Sequence, residues 1–234
     1  MNTAYKKETW DQYAQSFLSV MPSPMLELNT SVASFATGKV CDFGCGAGKV
    51  APFVLNNSKV NSYTGIDYSS EMVKLARWHL EQFPEKPSEI IHGKIEFIDT
   101  GAYDFEIVSG ITKTVENISY DFGLSINSYY TWDNNDTVLK TIYNTLNPSA
   151  HFILVTPNKQ LDMAKLLADA KKELVANPYF ETFKQQNMAL VGNEKALFID
   201  MDELVGQVRD IGFKVVETHQ AFYQGGLNFL HLKK

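Results

Sequence analysis

The sequence has little that would tie the protein to a disulfide framework, a membrane or a nucleic acid. Only two cysteines and five histidines occur in 234 residues, and the formal net charge is −6. No run approaches the roughly 18 apolar residues that a membrane span requires, and the first eight residues lack the apolar core of a secretory signal. No segment combines clustered Lys and Arg with aromatic residues, which argues against a nucleic-acid partner. We therefore expect a cytoplasmic protein that acts on a small molecule and has no membrane partner.

The few cysteines and histidines also argue against a metal site. Cys41 and Cys45 have no nearby Cys or His that would complete a zinc site, so we expect them to be packing residues, with a redox role as the alternative. Of the histidines, His219, near the C-terminal hairpin, is the one considered as a base. No combination of carboxylates and His suggests bound metal, and we expect metal-free catalysis.

The sequence does contain enough apolar material for one α/β domain. Hydrophobic residues make up 44% of the chain and charged residues 21%. A chain of this length and composition can bury one sizeable core with an appended cap. We predict a single domain over residues 1–234.

The most informative segment, Lys39 to Lys49, has the pattern of a short buried strand that breaks into a glycine turn and opens a helix. Gly44 and Gly46 can adopt positive φ and let the backbone approach a ligand, and Gly48 allows the helix to pack on the strand. The next acidic strand end is Asp67, one βαβ step downstream, where a carboxylate can accept both hydroxyls of a ribose. Together these features predict an adenosine-type cofactor.

The spacing of the glycines distinguishes between adenosine cofactors. In the dinucleotide fingerprint Gly-x-Gly-x-x-Gly the third glycine would fall on Lys49, which argues against NAD. Asp42-x-Gly44-x-Gly46-x-Gly48 resembles motif I of the class I S-adenosylmethionine (SAM) methyltransferases. SAM carries an ammonium and a sulfonium where a dinucleotide has phosphates, so acidic residues beside the turn are favourable.

The resemblance spans nearly the whole chain and implies a set of cofactor-binding residues. It places the glycine turn under SAM, Asp67 on the ribose and Tyr68 against the adenine. The full set that it implies is Asp42, Gly44, Cys45, Gly46, Gly48, Asp67, Tyr68, Met72, Gly110, Ile111 and Asn127.

The alternation of strands and helices predicts an α/β fold with a doubly wound, seven-stranded, mostly parallel sheet and a reversed last strand. The first helix is predicted at residues 48–55 and the second strand at 63–66, followed by a helix for which Ser69 is a suitable N-cap. This order would bring Asp67 alongside Gly44.

The third strand has two candidates. Residues 95–98 and residues 105–108 both have a suitable pattern, and we prefer the second because the next strand follows it at the usual distance. On that choice Ser109, Gly110 and Ile111 occupy the loop that borders the adenine in the family. On the other choice Asp99 does.

Two segments outside the sheet are predicted to cover the site. Residues 1–38 form a helical cap whose apolar face includes Tyr13. In the methyltransferases that the chain resembles, such aromatic residues close over SAM and substrate, although covering the sheet edge would explain them equally. Residues 158–198 are predicted as a helical lid inserted after the fifth strand, with a homodimer contact or surface packing as the alternative.

The loop after the fourth strand is aromatic, and it lies where open α/β sheets bind ligands. Asn127, Tyr129, Tyr130 and Trp132 could line a pocket for a methyl acceptor, or they could be the hydrophobic start of the next helix. We do not expect two adjacent tyrosines both to be buried. The segment departs from the Asn/Asp-Pro-Pro-Tyr pattern of enzymes that methylate bases or glutamine amides, which tells against such substrates.

We therefore predict a SAM-dependent methyltransferase for a small-molecule acceptor. Tyr13, Asn127, Tyr129 and Tyr130 are the predicted catalytic residues, because they would orient the acceptor. The aromatic pocket slightly favours N- over O-methylation through cation–π attraction. The alternatives are a SAM enzyme of the same fold with another reaction, such as intramolecular cyclisation, an NAD-dependent oxidoreductase, or a non-catalytic nucleotide-binding protein.

Overall fold

A computed structural model describes residues 7–100, 119–192 and 198–234. Within these residues seven strands form one sheet in the order β3-β2-β1-β4-β5-β7-β6. β7 runs antiparallel to both of its neighbours, and the other pairs are parallel, which confirms the predicted sheet with its reversed last strand. The strands are β1 (Gly38–Phe43), β2 (Val60–Asp67), β3 (Ser88–His92), β4 (Tyr120–Ile126), β5 (Leu146–Pro157), β6 (Lys214–His219) and β7 (Leu227–Lys233).

Helices cover both faces of the sheet, and three further helices lie beyond the carboxyl ends of the central strands. They are α1 (Lys7–Ser19), α2 (Ser23–Phe35), α3 (Ala51–Asn56), α4 (Ser70–Leu80), α5 (Asn135–Thr145), α6 (Met163–Glu173), α7 (Phe180–Val191) and α8 (Met201–Ile211). Side-chain caps begin several of them: Ser69 accepts the Met72 amide of α4, as predicted, and Asp162 accepts the Lys165 amide of α6. None of the helices in the described ranges combines the length and apolarity needed to cross a membrane.

The apolar residues separate into three clusters that fix this arrangement. One lies between the sheet and α2, α3 and α4, and a second lies between the opposite face and α5 and α8. The third joins α1, α6 and α7 above the glycine turn. Central strands are apolar on both faces, as β5 shows from Phe152 to Pro157, whereas β6 is largely exposed at the sheet edge.

One of the two candidates for the third strand, residues 95–98, is wrong. Residues 95–98 lie in a 3₁₀ helix, and the strand beside β2 is Ser88–His92, which buries Ile90 and Ile91. The preferred candidate, residues 105–108, lies outside the described residues. Helix α3, which was predicted at residues 48–55, starts later, at Ala51, because the chain continues in turns after Gly46.

Candidate functional site

A cavity of about 820 Å³ lies beyond the carboxyl ends of β1, β2, β4 and β5. The glycine turn after β1 forms its floor, and side chains of α1, α6 and α7 cover it. Parallel strands end together at this edge of the sheet, so the segments that follow them converge there. The cavity therefore occupies the place at which this class of sheet binds ligands.

The glycine turn packs too closely for side chains at two of its positions. Gly44 has φ of 82°, and a Cβ there would lie 2.5 Å from the Cβ of Ser128. At Gly46, with φ of 53°, a Cβ would lie 3.1 Å from the ring of Phe17. Gly48 does not line the cavity: it faces Ala76 of α4, where an added Cβ would lie 3.4 Å from the helix. Gly44 and Gly46 thus shape the floor, and Gly48 lets α4 approach.

Asp67 ties the end of β2 to the glycine turn. One carboxylate oxygen accepts the Gly46 amide at 2.9 Å, and the other accepts the Ser69 amide at 2.9 Å. Burial raises the pKa of Asp67 to about 6, against the effect of these hydrogen bonds. Tyr68 and Met72 line the cavity beside it.

Asp42 lies deeper on the cavity floor and is only 2% exposed. Its carboxylate accepts the Tyr63 hydroxyl at 2.7 Å. Burial nevertheless raises the pKa of Asp42 to about 7, and the charge of Asp67 adds to the rise. Cys45 also lines the cavity, and both cysteines are buried thiols.

Asn127 is the residue at the end of β4 that contributes an unpaired polar atom to the cavity. Its backbone is left-handed, with φ of 56°, and its amide donates to the Val155 carbonyl at 2.8 Å. The side-chain Oδ1 is buried and has no hydrogen-bond partner among the described residues. An acceptor in this state is favourable only if a donor from a ligand reaches it.

The adjacent tyrosines of the aromatic loop are both buried, contrary to our expectation. A short 3₁₀ turn, Tyr129–Thr131, directs them to different surroundings. Tyr130 lines the cavity and packs edge-on against Phe198 at 5.6 Å. Tyr129 is 1% exposed, lies outside the cavity, and donates its hydroxyl to Gln207 of α8. Trp132 lines the cavity as well, with its indole N–H bonded to Ser128.

Tyr13 of α1 lies over the cavity, where it was predicted. Its ring packs on Phe17 at 5.3 Å and on Phe183 of α7 at 5.9 Å. Its phenol oxygen accepts the side-chain amide of Asn187 at 2.7 Å. Helices α1 and α7 are thereby joined above the site.

Lys49 lines the cavity. In the sequence it was noted only because it replaces the third glycine of the dinucleotide fingerprint. Its side chain is 4% exposed, and Nζ donates to the Val20 carbonyl just beyond α1 and lies 4.4 Å from the centre of the Phe17 ring. None of the ion pairs in the described ranges includes it. Burial lowers the pKa of Lys49 to about 7. A basic residue directly after the last glycine of the turn was the signal that could have identified it.

Two further cavity walls were missed by sequence reasoning. Because β3 was not predicted, its end and the segment that follows it were not expected at the site. His92, Gly93, Lys94 and Ile95 line the cavity there, and the His92 ring contacts the Tyr68 carbonyl. The predicted adenine residues Gly110 and Ile111, with Ser109, lie outside the described residues. Tyr223, from the turn before β7, also lines the cavity.

The candidate base His219 is not on the cavity wall. Its ring stacks on Phe229 of β7 with centres 4.3 Å apart. Nowhere in the described ranges do three or more His, Cys, Asp or Glu side chains form a group able to hold a metal ion.

Comparison with known proteins gives one sequence match and many matches of fold. A family model described as a methyltransferase domain matches residues 17–218. None of the curated protein sequences compared with the chain matches it.

Several solved structures align over almost the whole chain. A SAM-dependent methyltransferase from Aquifex aeolicus does so with a TM-score of 0.60 and 14% identity, covering 98% of both chains. A possible histamine N-methyltransferase from Thermotoga maritima gives 0.59 and 18%, covering 97% of both. The 4+2 cyclase SpnF gives 0.65 and 11%, covering 97% of this chain and 94% of SpnF. At these identities the likeness is one of fold.

Proposed function

This chain belongs to the family of methyltransferase domains, and we propose that it transfers a methyl group from SAM to a small, largely apolar acceptor. The observation that carries the proposal is the position of Asp67, whose carboxylate is fixed to the Gly46 amide at the floor of a deep cavity. The glycine turn and a strand-end carboxylate are held together as an adenosine cofactor requires.

The chemical groups at the floor fit SAM. The Asp67 carboxylate accepts the backbone amides of Gly46 and Ser69 on different oxygens and also that of Tyr68, and a carboxylate has acceptor capacity beyond these for a ribose hydroxyl. The unpaired Asn127 Oδ1 can accept a hydrogen bond from the cofactor ammonium. Asp42 and Asp67 place negative charge beneath a ligand that is positively charged at its ammonium and sulfonium.

When bound, SAM supplies a methyl carbon already activated by its sulfonium. The protein then has to orient the acceptor and exclude water. Tyr13 and Tyr130 form part of the wall over the turn, with Phe183 behind them. Asn127 is assigned to the boundary between cofactor and acceptor, and Tyr129 has no part in the proposal because its hydroxyl is bonded to Gln207.

We further propose that the cap and the insertion act as one cover for the acceptor. Helix α1, from the predicted cap at residues 1–38, packs on α7, from the predicted lid at residues 158–198. Their contact includes the Asn187–Tyr13 hydrogen bond directly above the cavity. The acceptor would enter when these helices separate.

The argument for an amine acceptor is weaker in the folded protein than in the sequence. It rested on the cation–π attraction that aromatic rings offer to a positively charged substrate. The Phe17 and Phe183 rings already face the ammonium of Lys49, at 4.4 and 5.8 Å. Because Lys49 occupies these ring faces, we do not carry the preference for N-methylation forward.

The experiment that tests the proposed function is a thermal-shift comparison of SAM, S-adenosylhomocysteine (SAH), NAD and NADP. A ligand that binds only the native state at 100 times its Kd stabilises it by about 2.7 kcal/mol. We expect SAM and SAH to raise the melting temperature and the dinucleotides to leave it unchanged. Stabilisation by NAD alone would overturn the proposal. Formation of product without consumption of SAM would favour a cyclisation, the reaction for which SpnF is named.

A further inference from the structure

Tyr223 has a backbone conformation that non-glycine residues seldom adopt. It lies in the turn Phe222–Gly225 between β6 and β7, with φ of 52° and ψ of 43°. Gln224 follows with φ of 57° and ψ of 34°. Two successive left-handed residues are unfavourable, and such strain is concentrated at functional sites. The turn directs the Tyr223 side chain to the cavity wall.

The hydroxyl of Tyr223 is buried and has no hydrogen-bond partner among the described residues. Phenylalanine would fill the same space without an unpaired polar atom, so the hydroxyl is unfavourable unless a ligand pairs with it. Burial raises the pKa of Tyr223 well above its ordinary value, which keeps the phenol protonated. It is therefore available as a hydrogen-bond donor.

A second phenol, that of Tyr13, also lines the cavity and has a hydrogen that its bond with Asn187 does not use. In the Asn187–Tyr13 hydrogen bond the Tyr13 oxygen is the acceptor, so its own O–H can donate. Burial raises the pKa of Tyr13, and the nearby phenols of Tyr130 and Tyr223 raise it further, which places all three around one region of the cavity.

The acidic and basic side chains of the cavity wall lie in different places, and this distribution also favours an oxygen group near Tyr223. Lys49 is a basic side chain beneath α1 and α7, and it takes part in none of the ion pairs of the described ranges. The described cavity residues of α6 and α7 include no acidic side chain. The acidic residues of the wall lie instead on β1, on β2 and in the segments after β3 and β4, namely Asp42, Asp67, Glu96 and Asp133.

We propose that the acceptor is an apolar molecule with an acidic oxygen group, a carboxylic acid or a phenol, and that Tyr223 selects it by donating a hydrogen bond to that oxygen. The phenol O–H groups of Tyr13 and Tyr223 and the Lys49 amine can all donate to an oxygen that is anionic or a strong acceptor, whereas an ammonium group there would find no carboxylate among the described cavity residues of α6 and α7. The inference rests on the proposed function, since it assigns the part of the cavity that SAM would leave to the acceptor.

The test uses three probes of the same shape on the full-length protein: 2-naphthoate, 2-naphthol and 2-naphthylmethylammonium. SAH affinity is measured first by calorimetry, and failure of SAH to bind would count against the proposed function. With SAH saturating, we expect 2-naphthoate to bind at least tenfold more tightly than the ammonium probe, with 2-naphthol between them. Tighter binding of the ammonium probe, equal binding of all three, or no binding of any of them would overturn the inference while leaving SAM binding intact.

The variant Tyr223→Phe isolates the hydroxyl. We expect the Kd of 2-naphthoate to rise about tenfold, while SAH affinity stays unchanged and the melting temperature stays the same or rises, because an unpaired buried hydroxyl has been removed. Tyr179→Phe is the matched control, since Tyr179 is 40% exposed and lies outside the cavity. A lower melting temperature with unchanged naphthoate affinity would assign Tyr223 to structure and overturn the proposal.

Discussion

The two aspartates beside the glycine turn differ in what their carboxylates already bind. Asp67 accepts backbone amides, including those of Gly46 and Ser69, which fix its carboxylate at the cavity wall. Asp42 accepts one phenol and is almost completely buried. Single substitutions should therefore affect ligand binding at Asp67 and the pH dependence of folding at Asp42.

We expect Asp67→Asn to weaken SAH binding at least tenfold. The amide group that replaces one carboxylate oxygen is a donor, so it faces a backbone N–H unfavourably and cannot accept a ribose hydroxyl. A hydrogen bond to a charged group contributes roughly 1.5–3 kcal/mol, which corresponds to tenfold or more in affinity. Calorimetric titration measures the change. Asp136→Asn, on the exposed first turn of α5, is the control, and equal affinity in the two variants would remove Asp67 from the cofactor site.

We expect Asp42→Asn to change how the stability of the ligand-free protein depends on pH. A carboxyl group whose pKa rises on folding stabilises the native state below its unfolded pKa, and that contribution is lost as the pH rises through the folded pKa. For Asp42 the interval runs from 3.8 to about 7. Between pH 4 and pH 8 the wild type should lose up to about 4 kcal/mol of unfolding free energy relative to the variant. Urea denaturation at both pH values would show this, and parallel pH profiles would contradict it.

The proximity of Asp67 to the glycine turn could be predicted from the sequence because it depends on local spacing. A glycine turn after a strand, followed one βαβ step later by an acidic strand end, has few structural solutions. Tyr223 and Lys49 could not be assigned in the same way. Their significance depends on an unpaired hydroxyl and an unpaired charge, and these become visible only when distant segments pack around them.

At the scale of the elements, the contrast between local spacing and tertiary contacts explains why β3 was not predicted. β3 buries only Ile90 and Ile91 and begins directly after Pro87, so its pattern is weak compared with the more apolar residues 105–108. Its position is set by pairing with β2, which is a tertiary contact. The adjacent tyrosines show a related limit, because Tyr129 is buried through its hydrogen bond to a helix about 80 residues later.

Lys49 connects three elements: the glycine turn, the end of α1 and, through Phe183, α7. The Val20 carbonyl follows the C-terminus of α1, where a cation is favourable. We expect Lys49→Met to accelerate amide exchange in the last turn of α1 severalfold without lowering global stability, because a buried charge is replaced by an apolar chain of similar length. Hydrogen exchange read by mass spectrometry separates the two effects. Unchanged exchange in α1, or faster exchange in α8 as well, would contradict this role.

At the scale of the whole molecule, the cavity is bordered by parts of the chain that lie far apart in sequence. Helices α1 and α7 meet over a floor made by β1, β2 and β4. If α1 and α7 act as the proposed cover, ligand release requires at least part of it to open. The sheet can remain intact during that opening, because α1 and α7 are not part of it.

We expect SAH to slow amide exchange in α1 and α7 more than in β6. If the cover must open for exchange and SAH binds only the closed form, the slowing approaches 100-fold at 100 times the Kd. β6 lies at the far edge of the sheet and serves as the internal control. Equal slowing in α1, α7 and β6 would indicate that SAH suppresses global unfolding and not opening of the cover.

The two buried thiols can report on two different opening motions of the chain through their rates of alkylation. Cys45 lines the cavity, whereas Cys41 is fully buried in β1 and does not. Burial raises the pKa of both thiols, so an alkylating reagent should react with each one only when its surroundings open. The rate at Cys45 would then time the opening of the cavity, and the rate at Cys41 would time the loss of the sheet. The ratio of the two rates would measure how independently the proposed cover moves, with no engineered cysteine in the protein.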